Sequence, residues 1–296
     1  MRASPYAAGR EPCISDHNAD QIAEWNGEQG RRWVAMQPML EPLTAPFGNA
    51  ALAAARPRPG ERVIDIGCGC GSTSLALAQQ VGRAGAVLGV DVSHPMLEVA
   101  RAQAAAAEGL PLSFIEADAS GATLPGGRDL LFSRFGLMFF DAPAAALRHL
   151  RGHLRPGGRI AFVCWRAPRD NPWAMAPLIA ARQALGISRP PPDPLAPGPF
   201  AFADETRLRG LLTAAGFDAV ELQRFDVAIP IGASPRAAAE SALQVGPVSQ
   251  LARDAGPSQA TLLADAVERA LAPLAAADGA VRLNGSTWVA TAANPG

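Results

Sequence analysis

Three glycines at alternate positions, directly after a short apolar run, constrain this chain more than any other feature of its sequence. The run 63–66 is typical of a buried parallel strand, and Gly67, Gly69 and Gly71 follow it. A helix is predicted from Ser72, whose hydroxyl can cap it. Because glycine has no Cβ, a ligand can lie directly against the backbone between the strand and the helix N-terminus. The stretch therefore predicts a ligand-binding site at the end of the first strand.

From residue 62 onward, segments with the pattern of strands alternate with segments that have the pattern of helices. This alternation is typical of a doubly wound α/β fold, a parallel sheet covered by helices on both faces. We predict strands at 62–66, 86–91, 112–117, 129–134, 159–165, 219–231 and 281–292, and helices at 72–81, 94–107, 142–154, 173–186 and 204–215.

The chain is long enough for one large domain, which we predict over residues 21–296. Residues 1–20 are polar and interrupted by proline and glycine, which predicts a flexible N-terminus. Residues 21–59 are expected to form a helical cap over the site. The segment 232–280 separates two predicted strands, and a hairpin loop does not need about 50 residues, so we interpret it as a lid insertion.

Composition excludes several functions. The chain contains no lysine, which rules out a Walker lysine, a Schiff-base lysine and the tyrosine–lysine pair of some dehydrogenases. The net charge of −1 provides no field for nucleic acid. No stretch approaches the ~18 apolar residues of a membrane span, and no Cys/His cluster has zinc-ligand spacing. We expect a cytoplasmic monomer or homodimer with a small-molecule partner, and no membrane, nucleic-acid or metal site.

The order of residues in the glycine turn argues against a dinucleotide. The dinucleotide fingerprint requires Gly or Ala at its sixth position, where this chain has Ser72. Asp65 stands two residues before Gly67, where a carboxylate is poorly placed for a pyrophosphate but suits a ligand that carries an ammonium group. S-adenosylmethionine has a sulfonium and an α-amino group and no phosphate. The turn therefore favours this cofactor.

Acidic residues at the next two strand ends fit the adenosine part of the same ligand. Asp91 can accept both ribose hydroxyls. Its alternative role is to cap the next helix, for which Ser93 is already available. Met96 is expected to lie against the adenine, Asp118 to accept from its amino group, and the backbone N–H of Ala119 to meet a ring nitrogen.

Together these motifs, with Leu154-Arg-Pro-Gly-Gly-Arg159, resemble the class I S-adenosylmethionine-dependent methyltransferases. Within that class the chain is most similar to the group that includes the ubiquinone/menaquinone-biosynthesis C-methyltransferases. The resemblance covers about residues 60–165 well. It implies a seven-stranded sheet whose last strand is antiparallel, and S-adenosylmethionine as the cofactor. The N-terminal 60 residues and the insertion 232–280 depart from the plainest members, so they are where the acceptor would be selected.

No catalytic residue is evident, because the sulfonium already activates the methyl group and a base is needed only for a protonated acceptor. The candidates are His17, Asp141, and Arg134 as an anchor for an anionic acceptor, although a structural role explains each more simply. Ser133, at the end of the fourth strand, is assigned to the cofactor site. Aromatic and methionine side chains predict an apolar or aromatic acceptor, with core packing as the alternative. These pocket candidates are Trp25, Trp33, Phe135, Met138, Trp165 and Trp173.

Four functions remain open at this point. The leading hypothesis is methyl transfer to a small apolar or aromatic metabolite. A methyltransferase of tRNA or protein, a non-catalytic regulator that binds S-adenosylmethionine, and a nicotinamide dehydrogenase are the alternatives. The acceptor and the methylated atom (O, N, S or C) stay undetermined.

The ribose assignment can be tested directly. Asp91→Ala should cost a few kcal/mol of S-adenosylmethionine affinity, because it removes the acceptor of two ribose hydroxyls. Isothermal titration calorimetry measures the change, and unchanged binding would refute the assignment.

Overall fold

The computed structural model describes residues 18–188 and 193–296. Within them, a seven-stranded sheet forms the centre of the molecule. The strands are β1 (Arg62–Ile66), β2 (Ala86–Asp91), β3 (Leu112–Glu116), β4 (Arg128–Arg134), β5 (Leu154–Trp165), β6 (Asp218–Gly232) and β7 (Val281–Ala293).

The strand order across the sheet is β3-β2-β1-β4-β5-β7-β6. β1 pairs in parallel with β2 on one side and with β4 on the other, so the carboxyl end of β1 lies at the switch point of the sheet. β7 runs antiparallel to both β5 and β6. The predicted doubly wound sheet with an antiparallel last strand is confirmed.

Helices cover this sheet at the positions that the sequence pattern predicts beyond residue 60, with ends within three residues. The predicted fifth strand was too short: β5 begins at Leu154, because Leu154 pairs with Arg128 before the register shifts and pairing resumes at Arg159. The helices are α1 (Ala19–Asn26), α2 (Glu28–Ala55), α3 (Ser72–Val81), α4 (His94–Ala106), α5 (Pro143–Arg151), α6 (Pro172–Ala184), α7 (Glu205–Ala214), α8 (Pro235–Gln244), α9 (Pro247–Ala255) and α10 (Ala260–Leu271).

The helix α2 is longer than its sequence indicates, since Pro38, Pro42 and Pro46 lie inside it. Each proline removes one backbone donor, so the pattern reads as short broken helices. Tertiary packing overrides this tendency: the C-terminal half of α2 buries Phe47 and Leu52 in the core against β5 and β7. The N-terminal half extends beyond the sheet toward the carboxyl ends of the strands.

The boundary of the N-terminal segment differs from the predicted one. Asn18 is buried and α1 begins at Ala19, so residues 18–20 belong to the folded domain. The side chain of Asn18 is held by hydrogen bonds to distant residues, which gives this stretch a fixed position. The remainder of the predicted flexible segment, 1–17, lies outside the described residues, and so does His17.

The predicted insertion 232–280 contains α8, α9 and α10. α9 and α10 pack on α6, and α8 packs on α9 and α10, around a cluster of apolar side chains separate from the main core. Leu263 and Val267 of α10 and Ala238 of α8 are fully buried in it. The insertion is therefore a packed helical unit on α6. Its action as a lid stays a prediction.

Two adjacent leucines of α10 test this packing. Leu263 is 0% exposed and Leu262 is 43% exposed. Leu263→Ala should lower the free energy of unfolding by about 2–4 kcal/mol, because it leaves a cavity between α10 and its neighbours. Leu262→Ala is the matched control and should change it by under about 1 kcal/mol. Urea denaturation checks both, and equal effects would contradict the burial.

Candidate functional site

The glycine turn joins β1 to α3 in a left-handed backbone conformation that residues with a side chain rarely adopt. Gly67, Gly69 and Gly71 have φ values of 65°, 54° and 88°. A Cβ added at Gly67 would lie 2.8 Å from the Cα of Gly136, and one added at Gly69 would lie 2.8 Å from the terminal methyl of Met96. The turn therefore requires glycine for its conformation and for close packing. The backbone of the turn carries no side chains at Gly67, Gly69 and Gly71, at the end of β1.

Asp65 connects the end of β1 to the first turn of α3. Its Oδ2 accepts hydrogen bonds from the hydroxyls of Thr73 (2.7 Å) and Ser74 (2.6 Å). The side chain is 0% exposed, and its Oδ1 has no hydrogen-bond partner among the described residues. Burial raises the pKa of Asp65 to about 6, against the opposing effect of the two hydroxyls. The predicted contact with an ammonium group stays a prediction.

Asp91 lies at the end of β2 and holds the glycine turn from the other side. Its Oδ2 accepts from the backbone N–H of Gly69 at 2.7 Å, and its Oδ1 from that of Ser93 at 2.9 Å. Burial raises the pKa of Asp91, while these backbone N–H groups oppose the rise. A carboxylate has about four lone-pair directions, so Asp91 retains capacity to accept from a ribose hydroxyl. The hydroxyl of Ser93 donates to the carbonyl of Trp25 and does not cap α4, so the expected capping by Ser93 is wrong.

The adenine end of the predicted site is built around Asp118. This carboxylate is buried and accepts from the backbone N–H and the hydroxyl of Ser120. It also accepts from the side-chain amide of Asn18 at 3.1 Å, a contact between residues 100 positions apart. Ala119, in the turn after β3, and Met96, in α4, are both buried. Asn18 is a site residue that the sequence reasoning missed.

The helix α1 crosses the strand ends that bear the predicted adenosine contacts. At its start, the Asn18 side chain accepts from the backbone N–H of Asp141. At its end, Asn26 donates to the carbonyl of Val92 at 2.7 Å and accepts from the backbone N–H of His94 at 2.8 Å. These contacts fasten α1 across the loops after β2, β3 and β4. α1 thus lies across this edge of the sheet, and its role as a cap over a ligand stays a prediction.

Arg134 and Ser133 end the strand β4 beside the turn. The Ser133 hydroxyl donates to the carbonyl of Ile66 at 2.7 Å and accepts from the backbone N–H of Gly136, which fixes the β4 loop against β1. Arg134 pairs with Glu41 of α2 through two hydrogen bonds of 2.7 and 2.9 Å. Arg134 was predicted to anchor an anionic acceptor. Its guanidinium group is already paired with the carboxylate of Glu41. Sequence reasoning did not find Glu41.

The described aromatic candidates fall into two separate groups. In the first, Phe135 stacks on Trp165 with ring centroids 4.5 Å apart and an interplanar angle of 11°. Trp173 and Phe47 pack on Trp165 at 4.9 and 5.0 Å. We call these four residues the aromatic wall. It lies at the carboxyl ends of β4 and β5, next to the glycine turn. Phe47 and Trp165 are buried in the main core, which corrects the assignment of Trp165 to the pocket, and Phe135 and Trp173 are partly buried.

Phe135, whose ring stacks on Trp165, has a strained backbone conformation. Its φ is 63°, a left-handed conformation that costs a non-glycine residue of order 1 kcal/mol or more. The insertion 232–280 contacts the aromatic wall at Trp173, since a Cβ added at Gly246 would lie 3.4 Å from the Trp173 ring. The wall therefore lies between the β4 loop and the turn that joins α8 to α9.

The second aromatic group belongs to the cap. Trp25 packs edge-to-face on Trp33 at 5.8 Å and on Phe139 at 5.5 Å. Met138 is 1% exposed and belongs to the main core, which corrects its assignment to the pocket. Its position inside a 3₁₀ turn directs it beneath the loop after β4. Asp141 is exposed at the start of the loop to α5.

These features fit an adenosyl sulfonium ligand. The turn offers bare backbone, and the carboxylates of Asp65 and Asp91 flank it. The buried Oδ1 of Asp65, without a partner among the described residues, adds negative potential beneath the turn. When bound, S-adenosylmethionine supplies an electrophilic methyl group. The residues of this chain position it and exclude water, which are the main requirements of an in-line displacement.

The fold and the turn define a Rossmann-like protein of the methyltransferase type. Residues 63–158 match the family described as "Methyltransferase domain". The chain is 30% identical over 189 residues to demethylmenaquinone methyltransferase of Thermus thermophilus, covering 59% of this chain and 83% of the relative. The chain therefore belongs to the S-adenosylmethionine-dependent methyltransferases, as its motifs predict.

Further comparisons agree with this membership. Nocamycin O-methyltransferase of Saccharothrix syringae is 32% identical over 177 residues, which is 59% of this chain and 60% of the relative. The chain thus spans less than two thirds of that relative. The crystal structure of the YcgJ protein from Bacillus subtilis shares the fold, with a TM-score of 0.56 and 18% identity, over 84% of this chain and 98% of the other.

The described residues offer neither a metal site nor a membrane-spanning helix. In the parts 18–188 and 193–296, no group of three or more His, Cys, Asp or Glu side chains is arranged to hold a metal ion. No helix in the same parts is long and apolar enough to cross a bilayer. The thiols of Cys68, Cys70 and Cys164 are free and buried.

The raised pKa of Asp65 predicts a pH dependence of stability. Its folded pKa of about 6 lies above its ordinary value near 4, so between these values the native protein binds a proton that the unfolded chain does not. The contribution of Asp65 to stability should therefore fall by about 2 kcal/mol as the pH rises from 4 to 6, and level off above about pH 7. Asp65→Asn cannot ionise and should lack this decrease. Urea unfolding of both proteins at each pH measures the difference, and parallel curves would contradict it.

Proposed function

We propose that this protein transfers the methyl group of S-adenosylmethionine to a small, uncharged aromatic acceptor. The observation that carries the proposal is the aromatic wall, in which Phe135 and Trp165 stack at the carboxyl ends of β4 and β5. Aromatic faces of this kind bind planar apolar molecules through buried area and offset stacking. Their position beside the glycine turn supports binding of such a molecule next to the cofactor.

The charges around the wall support an uncharged acceptor. Arg134 is paired with Glu41, and Arg166, which follows Trp165, is paired with Asp170 and Asp226. These arginines already have carboxylate partners, whose negative charge lowers their attraction for a free anion. A neutral acceptor does not depend on that attraction. This supports an aromatic metabolite over an anionic one.

The cap and the insertion are expected to close over the acceptor. Arg32 of α2 donates to the carbonyl of Gln244 at the end of α8, and the hydroxyl of Ser241 contacts the sulfur of Met39. The two segments that depart from the plainest family members therefore touch each other. Closing them excludes water from the transfer.

The relatives support an oxygen atom as the methylated position. Relatives are named as O-methyltransferases for nocamycin and for ubiquinone biosynthesis. Methylation of a ring carbon is the competing outcome, because another relative is named demethylmenaquinone methyltransferase. Transfer to a hydroxyl is an in-line displacement in which the oxygen forms the new bond to carbon, the sulfonium leaves as a thioether, and the hydroxyl proton passes to solvent.

The test is release of S-adenosylhomocysteine with a panel of acceptors. We expect turnover with neutral phenols, catechols and hydroxyquinones, and little with phenolic carboxylates. Mass spectrometry of the product identifies the methylated atom. Turnover confined to RNA or protein, with binding that weakens steeply with salt, would overturn the proposal.

A substitution in the wall tests it more closely. Trp173→Leu should raise the KM of an active aromatic acceptor about tenfold, which corresponds to about 1.4 kcal/mol, through loss of ring contact. The Kd of S-adenosylmethionine should stay unchanged. Ile179→Ala, at a position of α6 that is 50% exposed, is the control and should alter neither. An unchanged KM for Trp173→Leu would contradict the role of the wall.

A further inference from the structure

Asn171, which directly precedes α6, is a fully buried polar residue that the sequence analysis did not single out. It is 0% exposed. An asparagine in this position usually caps the helix through its side chain, which satisfies one of the free N–H groups of the first turn. The side chain of Asn171 makes no such hydrogen bond to α6. Its hydrogen-bonding capacity is therefore directed elsewhere.

The amide group of Asn171 joins three parts of the chain. Its Nδ2 donates to the carbonyls of Arg166 (3.1 Å) and Ala167 (3.2 Å) in the loop after β5, and to that of Ser286 (3.1 Å) in β7. Its Oδ1 accepts from the backbone N–H of Ser286 at 2.8 Å and from the indole Nε1–H of Trp173 at 3.1 Å. Because the indole can only donate and the carbonyls can only accept, these partners fix the orientation of the amide.

These contacts use the whole bonding capacity of the amide. A primary amide has two N–H donors and two lone pairs on its oxygen. In Asn171 the donors serve three carbonyls and the oxygen serves two N–H groups, so no capacity is left for a ligand. Any effect of Asn171 on an acceptor must therefore act through the residues that it holds.

Trp173 is the member of this network that belongs to the aromatic wall. Its ring lies 4.9 Å from that of Trp165, at an interplanar angle of 42°. Trp173 packs against the main core and also against the separate apolar cluster of the insertion. An indole can adopt several orientations about its two side-chain torsions, and the hydrogen bond to Asn171 favours one of them. The ring that links the wall to the insertion is therefore held in one plane.

We propose that Asn171 is a positioning residue for the acceptor site, which fixes the plane of the Trp173 ring and thereby sets which aromatic acceptors bind. The inference rests on the proposed function, since it concerns the acceptor that the wall would bind. A ring held in one plane forms a preformed surface, and a flat acceptor then binds without the entropic cost of ordering the indole. Release of the ring should weaken binding of flat acceptors and reduce discrimination against bulky ones.

Circular dichroism measures the ring position without any acceptor. Two indoles at this distance couple excitonically, and the sign and size of the far-ultraviolet couplet depend on the angle between them. Trp25 and Trp33 form a second pair at 5.8 Å, so the contribution of Trp165 and Trp173 is defined as the wild-type spectrum minus that of Trp173→Leu. Asn171→Ala should reduce this contribution about twofold or more, because the ring then samples other orientations.

Kinetics with a phenol that the acceptor panel shows to be methylated tests the consequence for binding. Asn171→Ala should raise the KM of this phenol about tenfold and change kcat less than about twofold, as loss of ground-state binding requires. The preference for the phenol over its tert-butyl-substituted analogue should fall at least about threefold. The Kd of S-adenosylmethionine should stay unchanged.

An isosteric replacement removes the single hydrogen bond. Benzothienylalanine in place of Trp173 keeps the bicyclic ring and has sulfur where the indole has its N–H. Asn171 then keeps its backbone contacts and loses only the contact with the ring. This variant should raise the KM of the same phenol about threefold to tenfold. It tests the inference even if Asn171→Ala fails to fold.

Asn294→Ala is the matched control. Asn294 is also a buried asparagine, and its side chain donates to the carbonyls of Leu154 and Arg155 at the amino end of β5. Its removal should lower the urea midpoint of unfolding as Asn171→Ala does, because both substitutions leave buried carbonyls unpaired. It should change neither the KM of the phenol nor the dichroism of the tryptophan pair.

Three results would overturn the inference. Unchanged dichroism in Asn171→Ala would mean that the ring keeps its plane without Asn171. Altered dichroism with a KM no higher than that of Asn294→Ala would mean that the plane of the ring does not govern acceptor binding. If no aromatic acceptor reacts with the wild-type protein, the proposed function and the role in acceptor choice fall together, and the dichroism still shows separately whether Asn171 fixes the ring.

Discussion

Two carboxylates hold the glycine turn, the buried Asp65 and the partly buried Asp91, and the rest of the site depends on them. Asp65 binds the hydroxyls at the start of α3, and Asp91 binds the backbone N–H of Gly69. Because a left-handed glycine backbone has little conformational preference of its own, such contacts are what keep it in one shape. Burial of the two charges is costly, which the raised pKa of each carboxyl reflects. The cost is consistent with a site that binds a cationic ligand.

The position of the turn in the sheet gives it partners from both sides. β1 lies between β2 and β4, so loops from both strands surround the turn. The β2 side carries Asp91, and the β4 side carries Arg134 and the strained Phe135. The acid predicted to bind the adenosine and the aromatic wall proposed for the acceptor thus lie on opposite sides of one short turn.

The cap and the insertion are the parts of the structure that distinguish this chain from a plain sheet with helices. α1 is fastened across the strand ends by Asn18 and Asn26, and α2 brings Glu41 to the turn. The insertion packs on α6 and reaches Trp173 through the turn at Gly246. Acceptor selection is therefore expected to reside in segments that also contact each other.

The sequence by itself determined the sheet, its reversed last strand, the glycine turn and the acids beside it. These features are local: periodicity, glycine spacing and an acid at a strand end are all readable within a few residues. Only the tertiary structure decided that Glu41 meets Arg134, that Asn18 meets Asp118, and that Met138 lies in the core. It also kept α2 helical through three prolines, because burial of its C-terminal half outweighs the lost backbone bonds. Contacts between residues about a hundred positions apart produce no periodic pattern in the sequence. They can therefore be recognised only in the folded structure.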